Sequence, residues 1–397
     1  MNLMRQLTAA VAVAVLAAGC ANTGGSDSKT SDDKSGSIIL GVIVPLSGAA
    51  GPNGKHVLAA IQTQADLINS EGGLDGRQIT VMSKDDQSTP ATGVSAATEL
   101  VGKGADVVMG GWNSPVTLAI QPILVRNKVL NITTIPQNSS ILGGADDAAV
   151  RMNAGNAVGG YLAAEFISKT LKAKKIGLLL QNDAYGKDAG DFLKKNLPSD
   201  AKVVTTQLFA YTDTDFRVAL SSLAAAKPDA VFSANAAESS GQPALMKQLS
   251  QADLGVPYFA GTGTVSQTVI DVAGPVANDM YSADLYFPEA EPWASSDKNQ
   301  AFIKAFRAKT GDLPDKFGAL GAQSVDVWAQ AVEKAGSTDR TKVADEIHGN
   351  TFKDTLLGDV TFTDNGQMIS PMYGFQVKEQ KVEVLDEIPV PANIWTE

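Results

Sequence analysis

The sequence predicts an α/β protein with two doubly wound parallel-sheet lobes and a ligand cleft between them. The stretch 38–44 has no polar side chain, which is typical of a strand buried on both faces. Such stretches alternate with helix-length segments, a pattern that favours right-handed crossovers and a parallel sheet covered on both sides. The alternation forms two series in tandem, and 397 residues are enough for two domains.

The regular part of the chain contains both series. The first has predicted strands at 38–44, 78–83, 106–109 and 129–134, with helices through 57–68, 89–101 and 114–126. The second has strands at 175–180, 203–209, 229–233 and 258–260, with helices at 185–196, 216–226 and 241–251. The likeness of 103–109 to 227–232 indicates either a duplication or the general similarity of βαβ units.

The tail is less regular. It has predicted helices at 298–310, 318–335 and 340–348, and strands at 359–362 and 373–385 joined through the turn Asp364-Asn365-Gly366. A terminal segment of this kind is expected to return to a lobe begun earlier. More than one linker would then join the two lobes.

Composition narrows the class of protein. Hydrophobic residues make up 44% of the chain and charged residues 19%, which describes a folded globular protein. The formal net charge is -11, and the sequence has no basic run that could contact phosphates. We therefore expect no nucleic-acid partner.

The N-terminus predicts an export signal over residues 1–19. A basic start containing Arg5 is followed by an apolar run over 7–18 that is too short to span a bilayer. The segment Leu16-Ala17-Ala18-Gly19-Cys20 resembles the lipobox of bacterial lipoproteins, with Ala17 where a branched aliphatic residue is usual. Either Cys20 is acylated and becomes the new N-terminus, or the cysteine is unrelated to a plain signal peptide.

Residues 20–36 then form a Ser/Asp-rich tether without a large apolar side chain. No later segment is apolar enough to cross a membrane, so the mature protein would be held at the cell membrane, on its extracytoplasmic side, by lipid alone.

Catalytic motifs are scarce. The sequence has two histidines and one cysteine, and neither His-Glu-x-x-His nor Cys-x-x-Cys spacing occurs. Gly-x-Ser-x-Gly and the Gly-Lys-Ser/Thr of a P-loop are also absent, and the turn 261–264 lacks the third glycine of a dinucleotide fingerprint. We therefore predict a protein that is not an enzyme and holds no metal or cofactor.

The stretch 106–115 is the first candidate site. It predicts a buried strand that ends in a glycine turn, with Ser114 as the N-cap of a helix and Pro115 in its first turn. Ligands bind at such strand ends, where helix N-termini offer free N–H groups. Trp112 either packs in the core or forms a pocket wall. Asp85 and Asp86 either cap a turn, which we favour, or face the cleft.

Several motifs together resemble the leucine-binding (branched-chain amino acid-binding) family, the type I periplasmic substrate-binding proteins of ABC importers. The motifs are Gly41-Val-Ile-Val-Pro-Leu-Ser-Gly48, Asn69-Ser-Glu-Gly-Gly-Leu-Asp-Gly-Arg77, Lys84-Asp-Asp86 and Asn182-Asp-Ala-Tyr-Gly-Lys187. The resemblance implies two lobes joined by three hinge crossovers. It places lobe one at 37–153 plus 281–351 and lobe two at 154–280 plus 352–397.

The resemblance also implies ligand-binding residues. Ser114, after Trp112 and Asn113, matches the serine that binds a ligand carboxylate, and Tyr185 matches the aromatic residue that covers the ligand. The remaining expected contacts are Pro136, Gln137, Asn138, Ala236, Glu238, Thr262 and Gly263.

Two positions depart from the family pattern. An aromatic residue is replaced by Ala236-Ala237, and the acid that pairs with a ligand ammonium is replaced within 261–264 by glycines and threonines. Glu238 or Asp284 are the alternatives for that acid. Because a buried ammonium without a counter-charge is unfavourable, an amino acid ligand does not follow from the resemblance.

These observations predict a lipid-anchored solute-binding protein of an ABC importer. It would capture a small polar or carboxylate solute by lobe closure, without catalysis, and act as a monomer with a permease and a separate ATPase as partners. The alternative is a ligand-sensing receptor module of the same fold.

Overall fold

The computed structural model describes residues 36 to 144 and 146 to 397. The predicted signal peptide, Cys20 and the tether up to residue 35 lie outside the described residues.

The first lobe is built on a five-stranded parallel sheet with the order β2-β1-β3-β4-β5. Its strands are β1 Ile38–Val44, β2 Ile79–Asp85, β3 Val107–Gly110, β4 Leu130–Thr133 and β5 Val150–Arg151. The helices that follow the first three strands are α1 Gly51–Ser70, α2 Pro90–Gly102 and α3 Ser114–Arg126.

Helices cover both faces of this sheet. Ile43 and Val108 pack against α2 and α3, whereas Leu40 and Val42 belong to the core shared with α1. The central strands β1 and β3 are therefore buried on both sides, which is why their sequences are uninterrupted apolar runs.

The second lobe is built on a seven-stranded mixed sheet with the order β15-β14-β10-β9-β8-β6-β7. Its strands are β6 Lys175–Gln181, β7 Lys202–Phe209, β8 Ala230–Ala234, β9 Tyr258–Ala260, β10 Tyr281–Asp284, β14 Tyr373–Lys378 and β15 Lys381–Glu387. Its helices are α4 Asn156–Glu165, α5 Ala184–Asn196, α6 Arg217–Ala226, α7 Gly241–Ala252, α8 Gln267–Ala273 and α12 Ala392–Trp395. The strands β6 to β10 are parallel, and β14 and β15 add an antiparallel edge.

Part of the tail returns to the first lobe. The helices α9 Asp297–Thr310 and α10 Lys316–Ala335 pack against α1, and α11 Arg340–Ile347 packs against α10. A small antiparallel sheet follows, formed by β11 Thr351–Thr355, β12 Gly358–Phe362 and β13 Met368–Ile369. Just before β13, Gln367 forms a parallel bridge with Arg151 of β5.

The fold class is confirmed: two doubly wound lobes are joined by three crossovers of the chain. The crossings lie between β5 and α4, between β10 and α9, and between β13 and β14. Two predicted lobe boundaries are wrong. The strand at 281–284 stays in the second sheet, between β9 and β14, and residues 352–369 remain beside the first lobe. Pairing between segments far apart in the sequence sets these boundaries, and local patterns do not report it.

The tail strands also need correction. The stretch 373–385, predicted as one strand, is a hairpin that turns at Glu379 and Gln380, whose φ angles are 49° and 59°. The turn at Asp364 to Gly366 joins β12 to β13 instead of to this hairpin. Neither Glu379 nor Gln380 is a residue type that marks a left-handed turn, so no local pattern indicates this hairpin.

Candidate functional site

A cavity of about 30 Å³ lies between the lobes, where parallel strands of both sheets end. Its wall comes from the segments after β3 and β4 and the start of α10 in the first lobe, and from the end of β6 and the segments after β6, β8 and β9 in the second. The lining residues are Trp112, Asn113, Ser114, Ile135, Pro136, Gln137, Gln181, Tyr185, Ala236, Glu238, Gly263, Thr264 and Phe317.

The N-terminus of α3 faces this cavity. Ser114 is the first helical residue and Asn113 occupies the N-cap position, so the expected N-cap role of Ser114 is wrong by one residue. The Asn113 side chain forms no capping hydrogen bond, and its buried Oδ1 forms no hydrogen bond of good geometry within the described chain. The positive end of the helix is therefore not capped by a side chain.

The Ser114 hydroxyl is oriented by the next loop of the first lobe. Its Oγ accepts a hydrogen bond from the backbone N–H of Asn138 at 3.3 Å, and the residue is 2% exposed. The hydroxyl proton is not used in that bond. Ser114 can therefore donate to a carboxylate oxygen beside the helix end.

A buried arginine holds the loop at Gln137 and Asn138. Arg151 Nη1 donates to the carbonyl oxygens of Gln137 at 3.3 Å and Asn138 at 2.9 Å, and its Nε donates to Gln367 Oε1 at 2.6 Å. Burial lowers the pKa of Arg151 to about 10, so the guanidinium is charged at neutral pH. Arg151 ends β5, just before the first crossover between the lobes, and its guanidinium fixes the position of the loop at Gln137 and Asn138.

Tyr185 and Glu238 face the cavity from the second lobe. Tyr185 lies in the first turn of α5, which Asp183 caps by accepting a hydrogen bond from the Gly186 N–H at 3.1 Å. Burial raises the pKa of the Tyr185 hydroxyl, so it is neutral at physiological pH. Glu238, in the turn after β8, is 3% exposed, and burial raises its pKa well above the usual range.

The lobes touch each other directly around the cavity. Trp112 Nε1 donates to the carbonyl oxygen of Ala236 at 3.3 Å, and Gln137 Nε2 donates to that of Thr262 at 3.0 Å. Asn53 of α1 donates to Glu238 Oε2 at 3.5 Å and accepts a hydrogen bond from Ser239 Oγ. The two lobes are thus in direct contact around the cavity.

Lys316 and Asp284 form a buried ion pair between the lobes. Lys316 Nζ lies 3.5 Å from Asp284 Oδ1, with side-chain exposures of 4% and 7%. Lys316 begins α10 of the first lobe, and Asp284 ends β10 of the second. Burial raises the pKa of Asp284, while the lysine charge acts in the opposite direction.

A model of the periplasmic binding protein family matches residues 37–381, which is most of the chain. The chain belongs to the periplasmic binding protein family. The inferred resemblance to its leucine-binding members is confirmed as well.

Two curated relatives are similar over most of their length. The chain is 26% identical to Leu/Ile/Val-binding protein homolog 3 of Brucella melitensis, covering 85% of this chain and 90% of that protein. It is 27% identical to the Leu/Ile/Val-binding protein BraC3 of Rhizobium johnstonii, with the same coverage.

Solved structures share this periplasmic binding protein fold. The substrate-binding protein LivJ of Streptococcus pneumoniae, in complex with isoleucine, superimposes with a TM-score of 0.80 at 23% identity, over 89% of this chain and 99% of that chain. A solute-binding protein of R. palustris in complex with benzoate gives a TM-score of 0.80 at 23% identity, over 89% of this chain and 96% of that chain. At this identity the likeness concerns the fold alone.

In this periplasmic binding protein, most of the residues expected to contact ligand surround one cavity. The lining includes nine of them: Trp112, Asn113, Ser114, Pro136, Gln137, Tyr185, Ala236, Glu238 and Gly263. Asn138 and Thr262 are buried beside the cavity without lining it, and both take part in the interlobe hydrogen bonds. Their role as ligand contacts stays a prediction.

Two open interpretations are resolved by the structure. Trp112 is both a core residue and a wall residue: it is 4% exposed, packs 4.8 Å from the Phe317 ring and lines the cavity. Asp85 and Asp86 stabilise the turn after β2, as favoured, because they accept hydrogen bonds from the backbone N–H groups of Gln87 and Ser88 at 2.8 Å each.

Sequence reasoning missed Ile135, Gln181, Thr264 and Phe317 in the lining, and Lys316 beside it. Gln181 is a polar residue at the carboxyl end of a strand, which is a signal that could have found it. Phe317 and Lys316 lie at the start of a tail helix, and only the tertiary fold places that helix at the cleft.

Within residues 36–144 and 146–397, no group of three His, Cys, Asp or Glu side chains could hold a metal ion. In the same part of the chain, the helices are too short or too polar to cross a bilayer.

Proposed function

We propose that this protein is the extracytoplasmic solute-binding component of an ABC importer and that it captures a small carboxylate solute by closure of its lobes. The observation that carries the proposal is the cavity itself, where the uncapped N-terminus of α3 and the Ser114 hydroxyl face Tyr185 and Glu238 of the other lobe. Groups from both lobes would bind one solute, so the solute stabilises the closed form. A membrane permease with a separate ATPase would then receive the solute.

The similar proteins support a carboxylate. Isoleucine and benzoate, named as the ligands of two similar structures, share a carboxylate and differ in the presence of an amine. The helix end and Ser114 account for the shared group in this chain. We expect the solute to be bound without chemical conversion.

Calorimetric titration of the protein with amino acids and with aliphatic and aromatic carboxylates tests this proposal. We expect at least one carboxylate to bind and Ser114→Ala to weaken it about 10- to 100-fold, because a hydrogen bond to a charged group is lost. Ser95→Ala is the matched control, since Ser95 Oγ donates to the Ala91 carbonyl oxygen on exposed helix α2. Recovery of a chemically altered solute, or no binding of any carboxylate by folded protein, would contradict the proposal.

We also propose that Cys20 is acylated and that the lipid holds the protein, as a monomer, on the outer side of the cell membrane. The support is the sequence pattern around Cys20. Cells fed a clickable fatty acid should label the protein and retain it in the membrane fraction, and Cys20→Ala should abolish both. A wild-type protein that is exported but carries no lipid would refute the anchor alone.

A further inference from the structure

Lys316 places a buried ammonium group beside the cavity. A Cβ atom at Gly263 would lie 1.7 Å from Lys316 Nζ, so the absence of a side chain there leaves the space that the ammonium occupies. The same nitrogen lies 4.7 Å from the centroid of the Phe317 ring. Gly263 and Phe317 both line the cavity, and a cation therefore adjoins its wall.

The hydrogen-bonding capacity of this ammonium is largely unused. Lys316 Nζ is buried and forms no hydrogen bond of good geometry within the described chain. Asp284 Oδ1, at 3.5 Å, balances its charge. A lysine ammonium has three donors, and an acceptor on a bound solute could take one of them.

The acidic residue in the cavity wall, Glu238, lies in an environment that disfavours its charged form. Glu238 is the acidic residue among the lining residues, and Asn53 Nδ2 approaches its Oε2 at 3.5 Å. Burial raises the pKa of Glu238 well above its usual range, which favours the neutral form of this side chain. Lys316 thus places a cation beside the cavity, and its counter-ion is Asp284.

We propose that Lys316 is the cation of this binding site and that the solute is a carboxylate, or a carboxylate with a further hydrogen-bond acceptor, that has no ammonium group of its own. This inference rests on the proposed function and names its substrate class. A solute ammonium enclosed in the same cavity would lie near the Lys316 charge in a poorly solvated site, where like charges repel strongly. A carboxyl, carbonyl or hydroxyl oxygen instead gains a charge-assisted hydrogen bond.

Matched pairs of solutes that differ by one amine test the inference. We suggest calorimetric titration with leucine against 4-methylpentanoate and with phenylalanine against 3-phenylpropanoate. If the protein binds either solute of a pair, we expect the amine-free solute to bind at least about 10-fold more tightly than the matching amino acid. Lys316→Met should lower the affinity for the amine-free solute about 10- to 100-fold.

Removal of Lys316 alone leaves the Asp284 carboxylate buried without its partner, which destabilises folded proteins. The double variant Lys316→Met with Asp284→Asn removes both charges and keeps the measurement valid if the single variant does not fold. Lys298→Met is the control, since Lys298 Nζ lies 2.9 Å from Asp326 in a lysine–aspartate pair of the first lobe. It should leave solute affinity unchanged.

The possible results separate this inference from the proposed function. If the amino acid binds as tightly as its amine-free partner, or more tightly, the inference is wrong while solute binding stands. Unchanged affinity for the amine-free solute in the folded Lys316 variants would also overturn it. If folded wild-type protein binds neither these solutes nor any other carboxylate, the proposed function itself fails.

Discussion

Asp85 and Asp86 are neighbours in the chain but their carboxylates lie in opposite environments. Burial tends to raise the pKa of Asp85, but hydrogen bonds from Ser47, Leu46 and Gln87 outweigh it and lower the pKa. Asp86 is fully buried, and burial raises its pKa to about 6. Its Oδ2 forms no hydrogen bond of good geometry within the described chain. The Tyr211 hydroxyl of the other lobe faces the same region, beside the side chains of Ser88 and Asn113.

This difference predicts a pH-dependent effect of Asp86→Asn. The folded pKa of about 6 exceeds the ordinary value of 3.8, so the folded state binds the proton more tightly. The stability that this proton contributes is complete below about pH 4 and is lost as the pH rises through 6. The variant should therefore be more stable than wild type at pH 7.5, by up to about 3 kcal/mol, and close to wild type at pH 4.

Urea unfolding followed by circular dichroism at both pH values measures this. Asp85→Asn is the matched control and should behave in the opposite way, destabilising the protein at pH 7.5, because a lowered pKa stabilises the folded state above the ordinary value. Equal stability of wild type and Asp86→Asn at pH 7.5 would contradict the prediction.

At the scale of elements, α5 is fixed by a close approach to the end of β6. A Cβ atom at Gly186 would lie 2.1 Å from the Gln181 carbonyl oxygen, so the first turn of the helix can pack there only with glycine. This contact sets where the neighbouring Tyr185 enters the cavity. The position of an aromatic wall residue thus depends on a glycine that does not line the cavity.

Gly186→Ala should lower the free energy of unfolding by about 1–3 kcal/mol through overpacking, and should also weaken solute binding by displacing Tyr185. Gly102→Ala is the control, because a Cβ atom there would meet no atom within 4 Å at the end of α2. Thermal and urea unfolding compare the two variants, and calorimetry compares their affinities. A Gly186→Ala protein as stable as wild type would show that the backbone yields at this contact.

Helix α4 shows why some elements were not predicted. Its segment Asn156–Glu165 has two adjacent glycines, and most of its residues are buried, so it has no amphipathic period. A Cβ atom at Gly160 would lie 2.6 Å from the backbone N of Leu193, which shows how closely α5 approaches. Tertiary packing stabilises this helix against its local propensity.

At the scale of the molecule, closure depends on hydrogen bonds that cross from one lobe to the other. Some of them lie outside the cavity lining, such as the one that Ser239 Oγ of the second lobe donates to Asn53 Oδ1 of the first. A contact of this kind stabilises the closed form without touching the solute. Its loss should shift the population toward open molecules.

Ser239→Ala should therefore increase the radius of gyration measured by small-angle X-ray scattering and weaken solute binding about 2- to 10-fold, since one hydrogen bond is lost. Ser221→Ala is the control, because Ser221 Oγ donates to the Arg217 carbonyl oxygen within the exposed helix α6. An unchanged radius together with unchanged affinity would mean that this contact does not contribute to closure.

The sequence by itself determined the two series of strands and helices, because burial on both faces and helical periodicity are local properties of the chain. The stretch 107–114 illustrates this, since an apolar strand followed by glycines and a helix start located one corner of the site. Family motifs then extended the expectation to Tyr185 and the turns of the second lobe.

Only the tertiary structure decided which distant segments meet. It placed β10 in the second sheet, returned α10 to the first lobe and brought Lys316 to Gly263 and Asp284. These contacts join residues more than twenty positions apart, so no local period or turn signal reports them. The charge beside the cavity, and with it the expected chemistry of the solute, follows from packing between lobes.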